Sequence, residues 1–155
     1  MAAVSLGLAF VSVLVTVTVT DLERRVIPNA ILAVGAVIGL AIVVVADPAT
    51  LPGRALAAVA AGGFLLLGAL GRHDGMGMGD VKLAALMGLY LGAAVAPALA
   101  VAFAAGAVAG LTMILRHGPA ARRRALPFGP CLSLGGIVGL WRGDELIEWY
   151  LGTFV

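Results

Sequence analysis

Two aspartates lie where long apolar runs meet the short polar segments that connect them. Of the eight acidic residues, Asp21 directly follows an apolar run at 1–20, and Asp80 directly precedes another at 81–96. An ionisable group at the edge of a hydrocarbon layer is costly, which makes it a functional-site hypothesis. If two such carboxyl groups meet, like-charge repulsion separates their ionisations and leaves one acid beside one base. Such a pair can take a proton from water while polarising a peptide carbonyl, as aspartic proteases do.

The helix settings of the two aspartates are opposed in the sequence. Asp80 is expected at a helix N-terminus, where the helix dipole favours an anion, and Asp21 at a helix C-terminus, where it does not. Each aspartate also has a simpler interpretation. Asp80 alone suits a helix N-cap, and Asp21 alone suits an interfacial stop beside Arg24 and Arg25. The spacing does not prove that the two meet.

Composition places the chain in a membrane. Its 155 residues are 62% hydrophobic and 12% charged, and its mean hydropathy is +1.12. Soluble domains are nearer half apolar and a quarter charged. The polar surface is too small to cover a globule in water, so lipid is the expected solvent.

The chain divides into six apolar runs that predict a compact, all-α bundle of about six transmembrane helices in one domain, 1–155. The runs are 1–20, 29–46, 55–71, 81–96, 98–115 and 125–141. Val13–Thr20 alternates like a strand, but an open strand in lipid leaves its backbone groups unpaired, so a helix is favoured. Pro97 is expected to end the fourth helix, and the alternating glycines of 75–79 are expected to prevent helix formation. The remaining segment, 144–155, is expected to lie at a membrane interface.

Positive charge predicts the orientation. If both termini lie outside the cell membrane, the connecting segments on the cytoplasmic side contain eight of the ten basic residues, and only Arg54 and Arg142 lie on the outer side. The positive-inside rule strongly favours this arrangement over its reverse. The inner residues are Arg24, Arg25, Arg72, Lys82, Arg116, Arg122, Arg123 and Arg124. Asp21 and Asp80 are then both expected at the cytoplasmic edge of the cell membrane.

Three motifs resemble the type IV prepilin peptidase family. Asp21 with 25–29 (RVIPN) resembles the family's first aspartate motif, and 77–82 (GMGDVK) resembles its G-x-G-D-x-K motif. The segment 127–130 (PFGP), followed by Leu132 and Gly135, resembles its proline-rich C-terminal motif. The three occur in the right order and span most of the chain. A lone G-x-G-D would be weak evidence.

The resemblance implies a membrane aspartic endopeptidase that removes a short basic leader from prepilins or pilin-like subunits on the cytoplasmic side, without a cofactor. It places the catalytic roles on Asp21 and Asp80. The other motif residues are expected to shape the site or bind substrate: Pro28, Asn29, Gly77, Gly79, Lys82, Pro127, Gly129 and Pro130. Lys82 is expected either to offset negative charge near Asp80 or to extend to lipid phosphates.

The chain resembles the short members of the family, those serving Flp/Tad-type pili or archaeal preflagellins. Larger members carry a cysteine-rich insertion and also N-methylate the new amino terminus. This sequence has a single cysteine, Cys131, and no long connecting segment on the cytoplasmic side. The resemblance therefore argues against methyltransferase activity.

Two other function classes remain open on the residues alone. A small transporter or channel would use Asp21 and Asp80 as ion or proton ligands, although both lie at one membrane edge. A non-catalytic assembly subunit of a pilus or secretion apparatus would have no need of an aspartate pair. The histidines His73 and His117 lie far apart and predict no metal site, and the basic residues form no stripe suited to nucleic acid. The oligomeric state is not indicated.

Overall fold

The structure, a computed structural model, describes residues 2–71, 77–117 and 128–154. Within them the chain forms six α-helices and no strand. These are α1 (Ala2–Arg24), α2 (Asn29–Ala46), α3 (Leu51–Gly71), α4 (Met78–Leu91), α5 (Val95–His117) and α6 (Gly129–Phe154). Short 3-10 turns at Pro48–Thr50 and Gly92–Ala94 precede α3 and α5. The all-α prediction is confirmed for these residues.

Helix α1 includes the segment that alternates like a strand. Its threonine hydroxyls donate to backbone carbonyls four residues earlier, as Thr16 does to Ser12 (2.7 Å) and Thr18 to Leu14 (2.8 Å). Because each hydroxyl is satisfied within the helix, the threonines cost little in an apolar setting. The helix runs to Arg24, so the prediction that Asp21 follows it was wrong. Asp21 lies in its last turn.

The break between α4 and α5 lies at Gly92, and the prediction that Pro97 causes it was wrong. Gly92 has φ +60°, a conformation that glycine adopts without a steric penalty. Pro97 lies in the first turn of α5, where a missing amide hydrogen costs nothing. The same reason explains α6, where Pro130 is the second residue and does not interrupt the helix.

Helix α4 is the centre of the bundle and contacts every other helix. Its buried side chains include Leu83, Met87 and Tyr90, which pack with Phe10 and Leu14 of α1. The Tyr90 ring stacks on Phe10 at 4.9 Å, and its hydroxyl donates to the carbonyl of Gly35 (2.7 Å). These contacts fix α1 and α2 against α4.

Glycines allow the helices to approach closely. A Cβ on Gly88 would lie 2.5 Å from backbone atoms of Ala58, so only glycine permits this α3–α4 contact. A Cβ on Gly135 would collide with the backbone of Ala98, at the α5–α6 contact. Small residues at such crossings are typical of helix packing in lipid. A Cβ on Gly110, however, would meet nothing within 4 Å among the described residues, so no close helix contact in this part of the chain requires this glycine.

Four helical segments of the described chain are long and apolar enough to cross a membrane. They are Ala3–Arg24, Asn29–Ala46, Pro48–Gly71 and Met78–Arg116, the last of which contains α4 and α5. Helix α6 is 26 residues long but carries four charged residues in its second half. The expected separate segment at 144–155 is a continuation of α6 as far as Phe154.

Candidate active site

Asp21 is buried near the end of α1, with 6% of its surface exposed. Just beyond it, Arg25 takes a positive φ of 53° and its amide donates to the carbonyl of Asp21 (2.9 Å). This left-handed residue ends the helix in the way that C-terminal caps do. The turn keeps Asp21 on the inner face while Glu23, Arg24 and Arg25 remain exposed.

Asp80 lies in the first turn of α4 and is 9% exposed. The expectation that the alternating glycines exclude a helix was wrong from Met78 onward, because α4 begins there with Gly77 as its N-cap. The Asp80 amide donates to the Gly77 carbonyl (3.1 Å). A Cβ on Gly77 would lie 3.5 Å from Oδ2 of Asp80, so the carboxyl group folds back over this glycine.

The proline-rich motif meets Asp21 through Gly129. The Gly129 amide donates to Oδ2 of Asp21 (2.9 Å), and a Cβ at this position would lie 2.6 Å from the same oxygen. Gly129 is the first residue of α6, so a helix N-terminus points at the Asp21 carboxylate. Amide donors at a helix N-terminus bind anions. The sequence interpretation placed only Asp80 at a helix N-terminus. That interpretation was incomplete, because the Asp21 carboxyl group also lies at a helix N-terminus, that of α6.

The two carboxyl groups are brought together at one end of the bundle, which we call the aspartate end. Asp21 interacts electrostatically with Asp80, as does the half-buried Cys131 in the first turn of α6. Among the described residues, the ion pair that forms is Arg142 with Glu145 at the opposite end, and none involves either aspartate. Two buried acidic groups thus lie near one another, and neither forms an ion pair with a cation of the described segments.

The remaining predicted residues surround this pair. A Cβ on Gly79 would lie 2.8 Å from the Ile27 side chain, so the segment joining α1 to α2 packs on the start of α4. Pro28 is the N-cap of α2. Lys82 donates through Nζ to Oδ1 of Asn29 (2.8 Å), a hydrogen bond on the surface. Neither expected role of Lys82 accounts for this bond, which ties α4 to α2.

Some predictions lie outside the described residues, and some contacts were not predicted. Pro127 is in the undescribed segment, whereas Gly129 and Pro130 form the first turn of α6. The sequence interpretation missed the packing role of Phe128, whose ring lies against Gly106 and 5.6 Å from the ring of Phe103. Its place inside the proline-rich motif was the available signal. In the described part of the chain, no three His, Cys, Asp or Glu side chains are grouped as metal ligands would be.

The chain is similar in sequence to known proteins. The family model described as the type IV leader peptidase family matches residues 8–115. A prepilin leader peptidase/N-methyltransferase of Bacillus subtilis is 35% identical over 148 residues, which cover 94% of this chain and 58% of the relative. Relatives with the same name in Legionella pneumophila and Aeromonas salmonicida are 38% and 37% identical over 52% and 53% of this chain. No solved structure matches.

The chain therefore belongs to the type IV leader peptidase family. It spans 58% of the Bacillus subtilis relative and 28% of each of the other two. The family match covers Asp21 and Asp80 and ends before α6. The contact between Gly129 and Asp21 joins a residue outside the matched range to one inside it.

Proposed function

We propose that this chain is a membrane aspartic endopeptidase, a single domain of residues 1–155, that cleaves the leader of prepilin or pilin-like precursors. The observation that carries the proposal is the pair of buried carboxyl groups, Asp21 and Asp80, which interact at one end of the bundle. No cation among the described residues pairs with them. Burying two acidic groups together costs stability, so their persistence favours a chemical role.

The pair can hydrolyse a peptide bond with one bound water. One aspartate, as the carboxylate, takes a proton from the water while the water oxygen attacks the peptide carbonyl carbon. The other, as the carboxylic acid, gives its proton to the carbonyl oxygen. The tetrahedral intermediate then breaks its C–N bond: the leaving amine takes the proton from the first aspartate, and a hydroxyl group of the intermediate returns a proton to the second, which restores the pair. The Gly129 amide fixes one oxygen of Asp21 and so orients that carboxyl group.

The proposed location of the site is the cytoplasmic face of the cell membrane. Exposed Arg24, Arg25 and Lys82 lie at the aspartate end, whereas Arg54 and Arg142 lie at the opposite end. This distribution supports an orientation with both termini outside and α6 as the sixth crossing helix. A cytoplasmic site would meet the precursor's leader before the rest of the subunit is exported.

The proposed activity is peptidase without N-methyltransferase. The relatives' printed name contains both activities. In this chain the single cysteine, Cys131, lies in the first turn of α6 near the aspartates, so no cysteine-rich segment joins the helices. The proposed partners are therefore the precursor protein and membrane lipid.

The test is co-expression with candidate prepilins, followed by intact-mass measurement of the pilin. The expected result is loss of the leader mass, with no added mass of a methyl group on the new amino terminus. The matched control is the Asp21→Asn/Asp80→Asn double variant at equal abundance in the membrane. Equal processing with the double variant would contradict the proposal and favour the assembly-subunit interpretation. Aspartate-dependent ion flux in vesicles without cleavage would favour transport.

A further inference from the structure

Helix α6 lies antiparallel to α1, and the relative position of the two helices sets the contact with Asp21. Three contacts advance regularly along both helices: Gly129 on Asp21, Gly136 on Leu14, and Leu140 on Gly7. The Gly129 amide is 2.9 Å from Oδ2 of Asp21. The amide of a first helical residue points along the helix axis, so a slide of α6 away from Asp21 by about 1 Å, less than the rise of one residue, lengthens this bond beyond hydrogen-bonding distance.

Ser133 supplies a directional contact between the same two helices. Its hydroxyl donates to the backbone carbonyl of Leu14 in α1 (3.2 Å), and the residue is 4% exposed. The contacts at Gly136 and Leu140 are between carbon atoms, and apolar contacts have no preferred direction. The Ser133 bond therefore resists a slide of α6 that those apolar contacts would tolerate.

The acceptor of the Ser133 hydroxyl differs from that of other hydroxyls in the bundle. A serine or threonine in a helix can donate to a carbonyl of the preceding turn. Other hydroxyls of the described helices do so, over three or four residues: those of Ser12, Thr16, Thr18, Thr20, Thr112 and Thr153. Ser133 bonds a different helix instead, and the Leu14 carbonyl already accepts the Thr18 hydroxyl (2.8 Å). The serine bond is thus not needed to satisfy that carbonyl, and what it adds is a tie between α6 and α1.

Ser133 is close enough to Gly129 to control where its amide lies. The two residues are four apart in α6, so they share one face of the helix and are about one turn from each other. On α1, Leu14 and Asp21 are seven apart and also share a face. The turn between Ser133 and Gly129 is held by the helix's own backbone hydrogen bonds, so fixing Ser133 on Leu14 fixes Gly129 opposite Asp21.

We propose that Ser133 is a positioning residue of the active site: its bond to the Leu14 carbonyl sets α6 along α1 so that the Gly129 amide meets the Asp21 carboxyl group. Ser133 acts through Gly129 and not on the substrate. The inference rests on the proposed peptidase function. Loss of the Ser133 hydroxyl should therefore slow the chemical step and leave substrate binding unchanged.

The test is the steady-state kinetics of leader cleavage by purified protein in detergent, with a prepilin that the unaltered chain cleaves. Ser133→Ala removes the hydroxyl, and because alanine favours a helix more than serine does, the variant should fold. We expect kcat to fall about tenfold with KM unchanged, since a misplacement of about 1 Å can cost on the order of 10²-fold. Thr18→Val is the matched control. It removes the other hydroxyl bonded to the Leu14 carbonyl without releasing α6, and it should keep the normal kcat.

A double variant separates positioning from a general loss of packing. In a Gly129→Ala background, where the Asp21 carboxyl group is already displaced, Ser133→Ala should lower kcat no further. A normal kcat for Ser133→Ala, a raised KM as its main effect, or losses that multiply in the double variant would overturn the proposal. Asp21→Asn is measured in parallel. If it cleaves normally, the proposed peptidase function fails and this inference with it, whereas an inactive Asp21→Asn beside a fully active Ser133→Ala rejects the positioning role alone.

Discussion

The two ends of α4 use charge in opposite ways. At its C-terminal end, Arg54 of α3 donates through Nη1 to the carbonyls of Leu89 and Tyr90 and through Nε to Thr50. These carbonyls are otherwise left without partners at a helix end, so the guanidinium caps α4. At its N-terminal end, Asp80 is buried near Asp21, and no cation in the described chain pairs with either.

This difference in how charge is satisfied indicates that the Arg54 end of α4 serves stability and that the aspartate end serves chemistry. Around Arg54, the charge is satisfied by hydrogen bonds and borders a cavity of about 450 Å³ that Asp47 and Asp144 also line. Around Asp80, an acidic group meets a second acidic group, which costs stability. A bundle selected for stability alone would place a cation or an apolar residue there. The aspartate end is therefore where changes should affect reaction rate, and the Arg54 end is where they should affect folding.

The largest expected effect comes from removing either aspartate. Asp21→Asn and Asp80→Asn should each lower leader cleavage by at least about 10³-fold, because an amide cannot exchange the proton that the pair must transfer. The double variant should be no worse than either single one, since the two residues act as a unit. Cleavage is read by the mass shift of a co-expressed precursor, with abundance checked by immunoblot. Asp47→Asn and Asp144→Asn at the opposite end are the matched controls and should cleave normally. Full processing by either single aspartate-end variant would abolish the distinction between the ends.

The next effect concerns the orientation of Asp21. Gly129→Ala would place a methyl carbon 2.6 Å from Oδ2 of Asp21, and the resulting displacement should reduce cleavage on the order of 10²-fold. Gly110→Ala is the control, because a Cβ there would meet no described residue within 4 Å. The measurement is the initial rate of cleavage by purified protein in detergent. A normal rate for Gly129→Ala at normal abundance would show that this contact does not position the carboxyl group.

A smaller effect, on stability alone, is expected at the opposite end. Arg54→Met removes the donors to the carbonyls at the end of α4 and should cost about 1–3 kcal/mol. Cleavage per folded molecule should be unchanged. Arg142→Met is the control, because its ion pair with Glu145 is 70% and 65% exposed and such pairs contribute about 0–1 kcal/mol. The two variants are compared by their thermal unfolding midpoints in detergent. An equal shift for both would argue against Arg54 as a cap.

The smallest effect is expected at the surface bond between Lys82 and Asn29. Lys82→Met and Asn29→Ala should each lower the unfolding midpoint slightly, corresponding to about 0.5–1 kcal/mol for an exposed hydrogen bond. The double variant should lose no more than either single one, since both substitutions remove the same bond. Additive losses in this double-mutant cycle would mean that the two side chains act separately. A cleavage loss comparable to that of Gly129→Ala would extend the catalytic machinery to this pair.

Local features of the fold were predictable, and its boundaries were less so. The helices were expected from apolar runs, because lipid forces each run to satisfy its backbone internally. The break before α5 was misplaced because Pro97 suits a first turn as well as an ending, and only the φ of Gly92 distinguishes the two. Helix α4 begins earlier than expected, at Met78, and its Gly79 packs under Ile27, a contact between distant parts of the chain that sequence reasoning did not predict.

The sequence by itself determined the membrane class, the helical content and the two aspartates, because composition, run length and motif spacing are local properties that need no partner. Only the tertiary structure decided that Asp21 meets the Gly129 amide and that Lys82 bonds Asn29. Each of these depends on how far one helix slides along another. That offset is set by glycine contacts and core packing summed over the whole bundle, and no single segment encodes it.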